Sequence, residues 1–312
     1  STDRSWEILA EYAKADARIL PIRQENQGVS TARNNGIKKA SGKYLIFMDP
    51  DDWYPEKDIL EVLFEKAENS GCQICGGEFS EYNDRTGEVR TEFPEQYFGY
   101  VFQKEGVIEY RDWQFDFGYH RFLYNREFIL EHQLYFPKLI RFQDPPFFVK
   151  AMITAEKFYA VKKVVYRYRY GHRDLKWTRE KRIALLKGIY MDMDMAVRNH
   201  LERLVDLTWF RMTEEFGEII CCGIIEGETE IEEWIRRVYD CLEIDRKEKY
   251  GYPFYRRFRD EVILLKEKQR KEDERLENEI KAIKNSITFR VGKYLLYIPR
   301  CIKLALWSRK KS

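Results

Sequence analysis

The most constraining part of this sequence runs from Lys43 to Asp52, where an apolar stretch leads directly into three carboxylates. The apolar part, residues 43–48, has the length and composition of a strand that is buried on both faces of a sheet. In open α/β sheets, ligands bind beyond the carboxyl ends of such strands. The segment therefore predicts an α/β domain with a binding site at its acidic loop.

The surrounding sequence alternates between helix and strand patterns. Residues 30–40 predict a helix that Ser30 caps and Gly42 ends, and Pro55 opens a second helix that Gly71 ends. The predicted strands are residues 17–22, 43–48, 72–79 and 158–170. Alternation on this scale indicates a largely parallel sheet with helices packed on its faces.

The chain opens on a predicted helix whose apolar face includes Trp6 and Leu9, and no strand pattern precedes it. A helix of this kind buries its apolar face against another element, here the sheet. We therefore expect that one or two preceding strands of the domain are missing from this sequence.

Charge is distributed unevenly along the chain. The 312 residues include 55 Lys and Arg against 53 Asp and Glu. Nine of the basic residues, and no acidic residue, fall within 281–312, which leaves 46 basic against 53 acidic side chains before residue 281. An acidic body repels a phosphate backbone, so nucleic acid is not an expected partner. No stretch reaches the ~18 uncharged apolar residues that a membrane-spanning helix needs.

The acidic loop itself permits two interpretations. Asp49, Asp51 and Asp52 repel one another unless a positive charge lies among them, and a hard divalent cation such as Mg²⁺ or Mn²⁺ is a usual solution. Alternatively, the loop is an exposed turn in which Asp52 caps the following helix. Spacing alone does not decide between these interpretations.

A second polar segment precedes the strand, at residues 26–36. Gly28 permits close approach of the backbone to a ligand, and the start of the next helix offers free N–H groups. Arg33 adds a cation suited to phosphate or carboxylate. Many loops have this composition, so the segment carries little information by itself.

Together, the two segments resemble the family 2 glycosyltransferases, which have the GT-A fold. The family pairs Asn-x-Gly-x-Ser/Thr-x-Ala-Arg-Asn with an apolar strand that ends in Asp-x-Asp-Asp, and here these are residues 26–34 and 44–52. Further similarity lies at residues 1–3, 122–126, 143–148 and 165–172. Two residues depart from the family pattern, because Pro50 lies inside the acidic motif and Gln143 replaces the usual Glu.

The resemblance implies a binding site for a nucleotide-sugar donor. Asp49 and Asp51 match the pair that engages the donor ribose and the metal-bound diphosphate. Metal contact is implied for Asp51 and Asp52, with Mg²⁺ or Mn²⁺ as the cofactor. The other donor-binding residues implied by the resemblance are Asn26, Gly28, Arg33 and His172.

Asp144 resembles the family's catalytic base. A single base without a second nucleophilic carboxylate implies one displacement with inversion at the anomeric carbon. The alternatives from the residues alone are that Asp144 caps the helix that Pro145 begins, and that His172 is an ordinary surface histidine.

The predicted organisation has three parts: a GT-A domain over residues 1–178, a helical accessory region over 179–265, and a charged helix with a basic amphipathic tail over 266–312. Basic and aromatic residues alternate in the tail, a composition typical of segments that bind an anionic membrane surface. Residues 285–312 are therefore predicted to contact such a surface. The helical region is expected to shape an acceptor cleft or to pair two subunits.

These features predict a glycosyltransferase of surface-polysaccharide assembly, with a glycan or a lipid-linked molecule as the acceptor. We expect it in the cytoplasm, peripherally attached to the inner face of the membrane. The alternative from another class is a non-catalytic, membrane-associated interaction protein that retains a glycosyltransferase-like domain.

Overall fold

The structure is a computed structural model that describes residues 3–93, 99–172, 175–251 and 254–285. The chain forms two compact units, residues 1–252 and 253–312. The strands of the first unit are β1 Tyr44–Leu45, β2 Ile74–Asn83, β3 Val89–Arg90, β4 Gly106–Glu109, β5 Phe122–Asn125 and β6 Lys157–Tyr170. Its helices up to β6 are α1 Ser5–Ala15, α2 Val29–Lys39, α3 Ile59–Ser70, α4 Tyr110–Trp113, α5 Arg126–Glu131 and α6 Asp144–Ala155.

The six strands form one sheet in the order β1-β5-β2-β6-β4, with β3 paired to β2. Only β2 and β6 run parallel, and the other described pairings are antiparallel. The α/β class is confirmed, whereas the sheet differs from the largely parallel one that we predicted. The connection from β2 to β6 is long enough for a parallel crossover, and it also contains three short strands, β3, β4 and β5, that run antiparallel to their neighbours.

The predicted strand at residues 158–170 is confirmed, as β6, but the segment 17–22 is not a strand. A strand exists only where its N–H and C=O groups pair with a neighbour, and no described strand pairs with this segment. In the following predicted strand, only Tyr44 and Leu45 join the ladder, opposite Asn125 and Tyr124. The short ladder leaves the chain free to turn into the acidic loop.

The core beneath the site lies between the sheet and α3. Ile59, Leu63 and Ala67 of α3 are buried against Val161 and Val165 of β6. Their i, i+4 spacing makes one apolar stripe along the helix. Gly71 ends α3 in the left-handed conformation, at φ +66°, as the sequence predicted. This packing fixes β6, the strand that carries several partners of the acidic loop.

Between residues 179 and 250 the described chain is mainly helical, which confirms the helical pattern predicted for that region. Its helices are α7 Arg179–Arg198, α8 Glu202–Phe210, a π-helical turn at Arg211–Glu215, α9 Gly217–Ile225, α10 Thr229–Cys241 and α11 Ile244–Tyr250. The second unit contains α12, Phe254–Asn285, which is continuous across the predicted boundary at residue 265. The division of the chain into three domains stays a prediction.

No helix among the described residues is long and apolar enough to cross a membrane. Residues 286–312, which make up almost all of the predicted membrane-binding segment, lie outside the described part of the chain. So do Ser1 and Thr2 of the N-terminal motif.

Candidate active site

The acidic loop follows β1 and lies along β6. Within the loop, the Asp52 N–H donates to the Asp49 carbonyl oxygen over 3.1 Å. Immediately after it, Trp53 and Arg167 exchange backbone hydrogen bonds of 3.3 and 2.9 Å. The loop is therefore a tight turn with one side fastened to the strand, rather than a freely exposed acidic turn.

Asp52 is tied to β6 through both carboxylate oxygens. The Tyr166 hydroxyl donates to Oδ2 over 2.6 Å, and the Arg169 N–H donates to Oδ1 over 2.8 Å. Burial raises the pKa of Asp52 to about 6; the two hydrogen bonds oppose this rise, and the charges of Asp49 and Asp51 add to it. Asp52 does not cap α3, because the N-cap residue of that helix is Asp58.

Tyr166 also accepts a hydrogen bond from the Asp49 N–H over 3.2 Å. This side chain is fully buried, and its hydroxyl is satisfied only by the acidic loop among its described hydrogen bonds. Tyr166 falls within the predicted strand at residues 158–170, but the sequence did not predict it as a site residue. The available signal was chemical, since a buried tyrosine hydroxyl usually has a hydrogen-bond partner.

Asp49 pairs with Arg33 of α2. Arg33 Nη2 lies 2.7 Å from Asp49 Oδ1, and the arginine side chain is only 13% exposed. Its guanidinium lies over two aromatic rings, 4.9 Å from the centre of Tyr119 and 5.3 Å from that of Phe136. The buried Nη1 has no hydrogen-bond partner among the described residues. Arg33 is thus a rigidly held cation with donor capacity left for a ligand.

Asp51 pairs with His172 across the end of β6. His172 Nε2 lies 3.0 Å from Asp51 Oδ2, with 18% and 28% of the two side chains exposed. The other ring nitrogen, Nδ1, is buried without a partner in the described chain. His172 therefore lies at the acidic loop, as the resemblance implied, and is not an isolated surface residue.

Asn26 and Gly28 shape the entry to α2. The Gly28 N–H donates to Asn26 Oδ1 over 3.2 Å, and Gly28 adopts φ +83°, a conformation that favours glycine. Gly28 is the N-cap residue of the helix, so the predicted capping role of Ser30 is wrong. Ser30 is buried instead and donates to the Leu139 carbonyl oxygen over 3.0 Å. Among the described hydrogen bonds, none joins Asn26 or Gly28 to the acidic loop.

Asp144 is the first residue of α6 and is partly buried. The N-cap position belongs to Gln143, and no described side-chain cap bond forms, so the capping alternative for Asp144 is wrong. Burial lowers the pKa of Arg33, but nearby negative charges, that of Asp144 among them, raise it above its usual value. Asp144 therefore lies close enough to the Arg33–Asp49 pair to interact with it electrostatically.

The residues of the loop fit a divalent cation in their chemistry but form no complete cage. Among the described residues, no group of three or more His, Cys, Asp and Glu is arranged to hold a metal ion. Mg²⁺ needs only one or two carboxylates when a diphosphate supplies other oxygens. Asp49 and Asp51, 36% and 28% exposed, retain oxygens open to such an ion, whereas both Asp52 oxygens already accept hydrogen bonds.

Known proteins resemble this chain in sequence and in fold. Residues 1–132 match the model of glycosyl transferase family 2. The uncharacterized glycosyltransferase EpsJ of Bacillus subtilis is 38% identical over 174 residues, covering 54% of this chain and 49% of that protein. TuaG of the same organism, described provisionally as a teichuronic acid biosynthesis glycosyltransferase, is 40% identical over 73 residues, 23% of this chain and 29% of TuaG. The chain spans about half the length of EpsJ.

Among solved structures, residues 1–349 of Staphylococcus aureus TarS in complex with UDP-GlcNAc superpose with a TM-score of 0.63. The sequence identity is 14%, and the match covers 78% of this chain and 70% of that one. At this identity the likeness establishes the fold alone, and that fold is the GT-A arrangement that the sequence motifs implied.

Proposed function

Because residues 1–132 match the model of glycosyl transferase family 2, we propose that the protein moves a sugar from a nucleotide-sugar donor to a hydroxyl of a glycan or lipid-linked acceptor. One observation carries the proposal: Arg33, held between two aromatic rings and Asp49, has beside the acidic loop a buried N–H group that no described residue accepts from. A donor diphosphate has the negative charge to pair with the guanidinium and the oxygens to accept a hydrogen bond from this N–H group. The complex of TarS with UDP-GlcNAc supports a donor of this class.

In the proposed complex, Arg33 and His172 donate hydrogen bonds to diphosphate oxygens. Both side chains are paired with carboxylates, so their orientation is set before the donor arrives. Asp49 and Asp51 are then released toward the donor ribose and the cation. When bound, Mg²⁺ or Mn²⁺ would supply positive charge against the leaving diphosphate.

Asp144 is the proposed general base. An acceptor hydroxyl is a poor nucleophile near neutral pH, and a carboxylate within hydrogen-bond reach takes its proton as the new bond forms. The acceptor oxygen bonds to the anomeric carbon, the bond from that carbon to the diphosphate oxygen breaks, and the electron pair leaves with the diphosphate. A single displacement of this kind inverts the anomeric centre.

Surface-polysaccharide assembly is the proposed setting, and the description of TuaG supports it. A lipid-linked acceptor would explain peripheral attachment at the inner face of the membrane through residues 285–312. This segment lies within residues 281–312, which contain nine basic and no acidic side chains. Each basic side chain near an anionic surface contributes about 1 kcal/mol.

Flotation with anionic liposomes tests the membrane attachment. Removal of residues 285–312 should abolish flotation, and equal flotation of the full chain and the shortened protein would refute attachment. A homodimer remains a further expectation.

The central experiment is calorimetric titration with UDP and other nucleoside diphosphates, with and without Mn²⁺. We expect metal-dependent binding by the wild type and its loss in Asp51→Ala, because that change removes the carboxylate of the predicted metal pair that fewer hydrogen bonds hold in place. Asp144→Asn should retain donor binding and lose turnover. The interaction-protein alternative predicts no heat with any nucleotide, and full activity of Asp144→Asn would remove that residue as the base.

A further inference from the structure

The turn that leads into Asp144 contains an unusual backbone conformation. Phe142, two residues before Asp144, has φ +58°, although it is a bulky residue without the freedom of glycine. This left-handed conformation is strained for a residue that carries a side chain. The Phe142 side chain is nevertheless buried, with 4% of its surface exposed. Contacts from elsewhere in the fold must therefore hold the turn in place.

Gly188 of α7 supplies the first of these contacts. A Cβ atom at position 188 would lie 2.5 Å from the Phe142 carbonyl oxygen and 2.7 Å from its Cδ1. Both separations are shorter than real Cβ contacts, and one of them is to backbone, which cannot rotate away. The absence of a side chain at Gly188 is what lets α7 press against the turn.

Arg211 supplies the second contact. Its guanidinium carbon lies 4.6 Å from the centre of the Phe142 ring. The guanidinium is fixed in turn, since Nη1 donates to the buried Asp116 carboxylate over 2.7 Å and Nε donates to Glu215 over 3.1 Å. The cation above the Phe142 ring is therefore itself held by two carboxylates.

The π-helical turn brings a third contact to the same ring. The Phe216 N–H donates to the Arg211 carbonyl oxygen over 2.9 Å, a bond across five residues rather than four. The Phe216 ring lies edge-on to Phe142, with 5.8 Å between ring centres. The extra residue in this turn thus lets Arg211 and Phe216 contact Phe142 together, which an unbroken helix from α8 to α9 would not arrange in the same way.

We propose that Gly188, Arg211 and Phe216 are positioning residues that hold Phe142 in its left-handed conformation and so aim Asp144 at the acceptor hydroxyl. The inference rests on the proposed function, because it takes Asp144 as the base. It gives the helices after residue 178 a role in the reaction, through the turn that precedes α6. A misplacement of about 1 Å at a reacting group can reduce the rate about 100-fold, so a small shift of this turn matters.

The test compares Gly188→Ala with Gly217→Ala, a matched control in another helix of the same region. Within the described part of the chain, a Cβ at Gly217 would meet only the Met212 carbonyl oxygen, at 3.9 Å, which is an ordinary contact. For Gly188→Ala we expect kcat to fall about 10- to 100-fold while the Kd for UDP changes less than twofold. Amide hydrogen exchange in residues 140–148 should become faster in this variant and remain unchanged in the control.

A second variant, Phe142→Leu, tests the same turn if Gly188→Ala does not fold, because it removes the ring and keeps an apolar side chain. A folded variant with wild-type kcat and wild-type exchange at 140–148 would overturn the inference. So would equal losses of kcat, UDP affinity and melting temperature, which indicate general destabilisation.

Failure of the proposed function has a different signature. In that case the wild type turns over none of the nucleotide sugars tested. The exchange comparison still decides whether α7 and the π-helical turn hold residues 140–148, because it does not depend on activity.

Discussion

Tyr166→Phe isolates the hydrogen bond that ties the acidic loop to β6. The change removes one oxygen, which donates to Asp52 and accepts from the Asp49 N–H, and it leaves the buried ring in place, so no large cavity forms. A hydrogen bond to a charged group contributes about 1.5–3 kcal/mol, and one between neutral groups about 0.5–1.5 kcal/mol. Because Asp52 is only about half buried, we expect values in the lower part of the first range.

The effect should depend on pH in a defined direction. Burial raises the pKa of Asp52 from 3.8 in the unfolded chain to about 6 in the folded protein. The contribution of Asp52 to the free energy of unfolding is therefore greatest below pH 4, and it is lost as pH rises to about 6. The Tyr166 hydroxyl lowers this pKa, so its removal raises it further and extends the loss above pH 6. We expect Tyr166→Phe to destabilise the protein by about 2 kcal/mol at pH 8 and by about 1 kcal/mol at pH 5.

Urea unfolding at pH 5, 6, 7 and 8 in buffer with a chelator measures both numbers, since the chelator prevents a cation from replacing the lost contact. Tyr159→Phe is the matched control on the same strand, because its hydroxyl makes only a 3.4 Å contact to the exposed carboxylate of Glu105. The control should change stability by less than about 0.5 kcal/mol. A Tyr166→Phe effect that is below this level, or that does not grow with pH, would refute the assignment of this hydrogen bond as a tether of the loop.

Three further changes test other parts of the site and its support. Arg33→Met should weaken UDP binding at least tenfold, about 1.4 kcal/mol, by calorimetry, and unchanged affinity would remove Arg33 from the donor site. His120 is buried and its pKa is lowered to about 3 by burial, then by the charges of Arg121 and Arg33, so native stability should fall as pH drops below 6.5, by up to ~1.4 kcal/mol per pH unit. His120→Leu should flatten that acid limb in urea unfolding, and an unchanged slope would contradict the neutral buried ring. Arg182→Met should cost about 3–5 kcal/mol, because it leaves the buried Glu228 carboxylate without its partner, and a change in melting temperature no larger than that of a surface variant would contradict this.

Much of the first unit could be predicted from local sequence. The apolar run of β6 and the helices that end at Gly71 and begin near Gly28 carry their own signals in periodicity and turn chemistry. The short strands β4 and β5 do not, because four residues contain too little pattern and their pairing depends on neighbours far away in sequence. Local sequence patterns therefore did not predict that these strands run antiparallel to their neighbours, and so did not predict that the sheet is mixed.

The candidate site divides in the same way. The motif residues were predictable because they cluster in two short segments, and their positions beside Arg33 and His172 agree with the roles that the resemblance implied, although those roles stay predictions. Tyr166 and Tyr119 were missed because they join the site through tertiary contacts. Tyr119 lies under the Arg33 guanidinium, and the Tyr166–Asp52 bond joins residues 114 positions apart. Nothing in the local pattern of β6 distinguishes a tyrosine that holds a loop from one that only fills the core.

The repulsion that first marked the acidic loop is resolved in the fold by different partners for each of the three carboxylates. Asp49 is neutralised by Arg33, Asp51 contacts His172, and Asp52 accepts from the uncharged Tyr166 hydroxyl and a backbone N–H. Arg33 is cationic and His172 can become so, and each has a buried nitrogen without a hydrogen-bond partner among the described residues. The Tyr166 hydroxyl is neutral, and it already donates one hydrogen bond to the loop and accepts another from it. A diphosphate that takes Arg33 and His172 would therefore uncover two carboxylates and leave the third in place. The same exchange that binds the donor would create the negative site for a cation, so we expect nucleotide and metal to bind with positive cooperativity, and measured independence of the two would argue against a shared site.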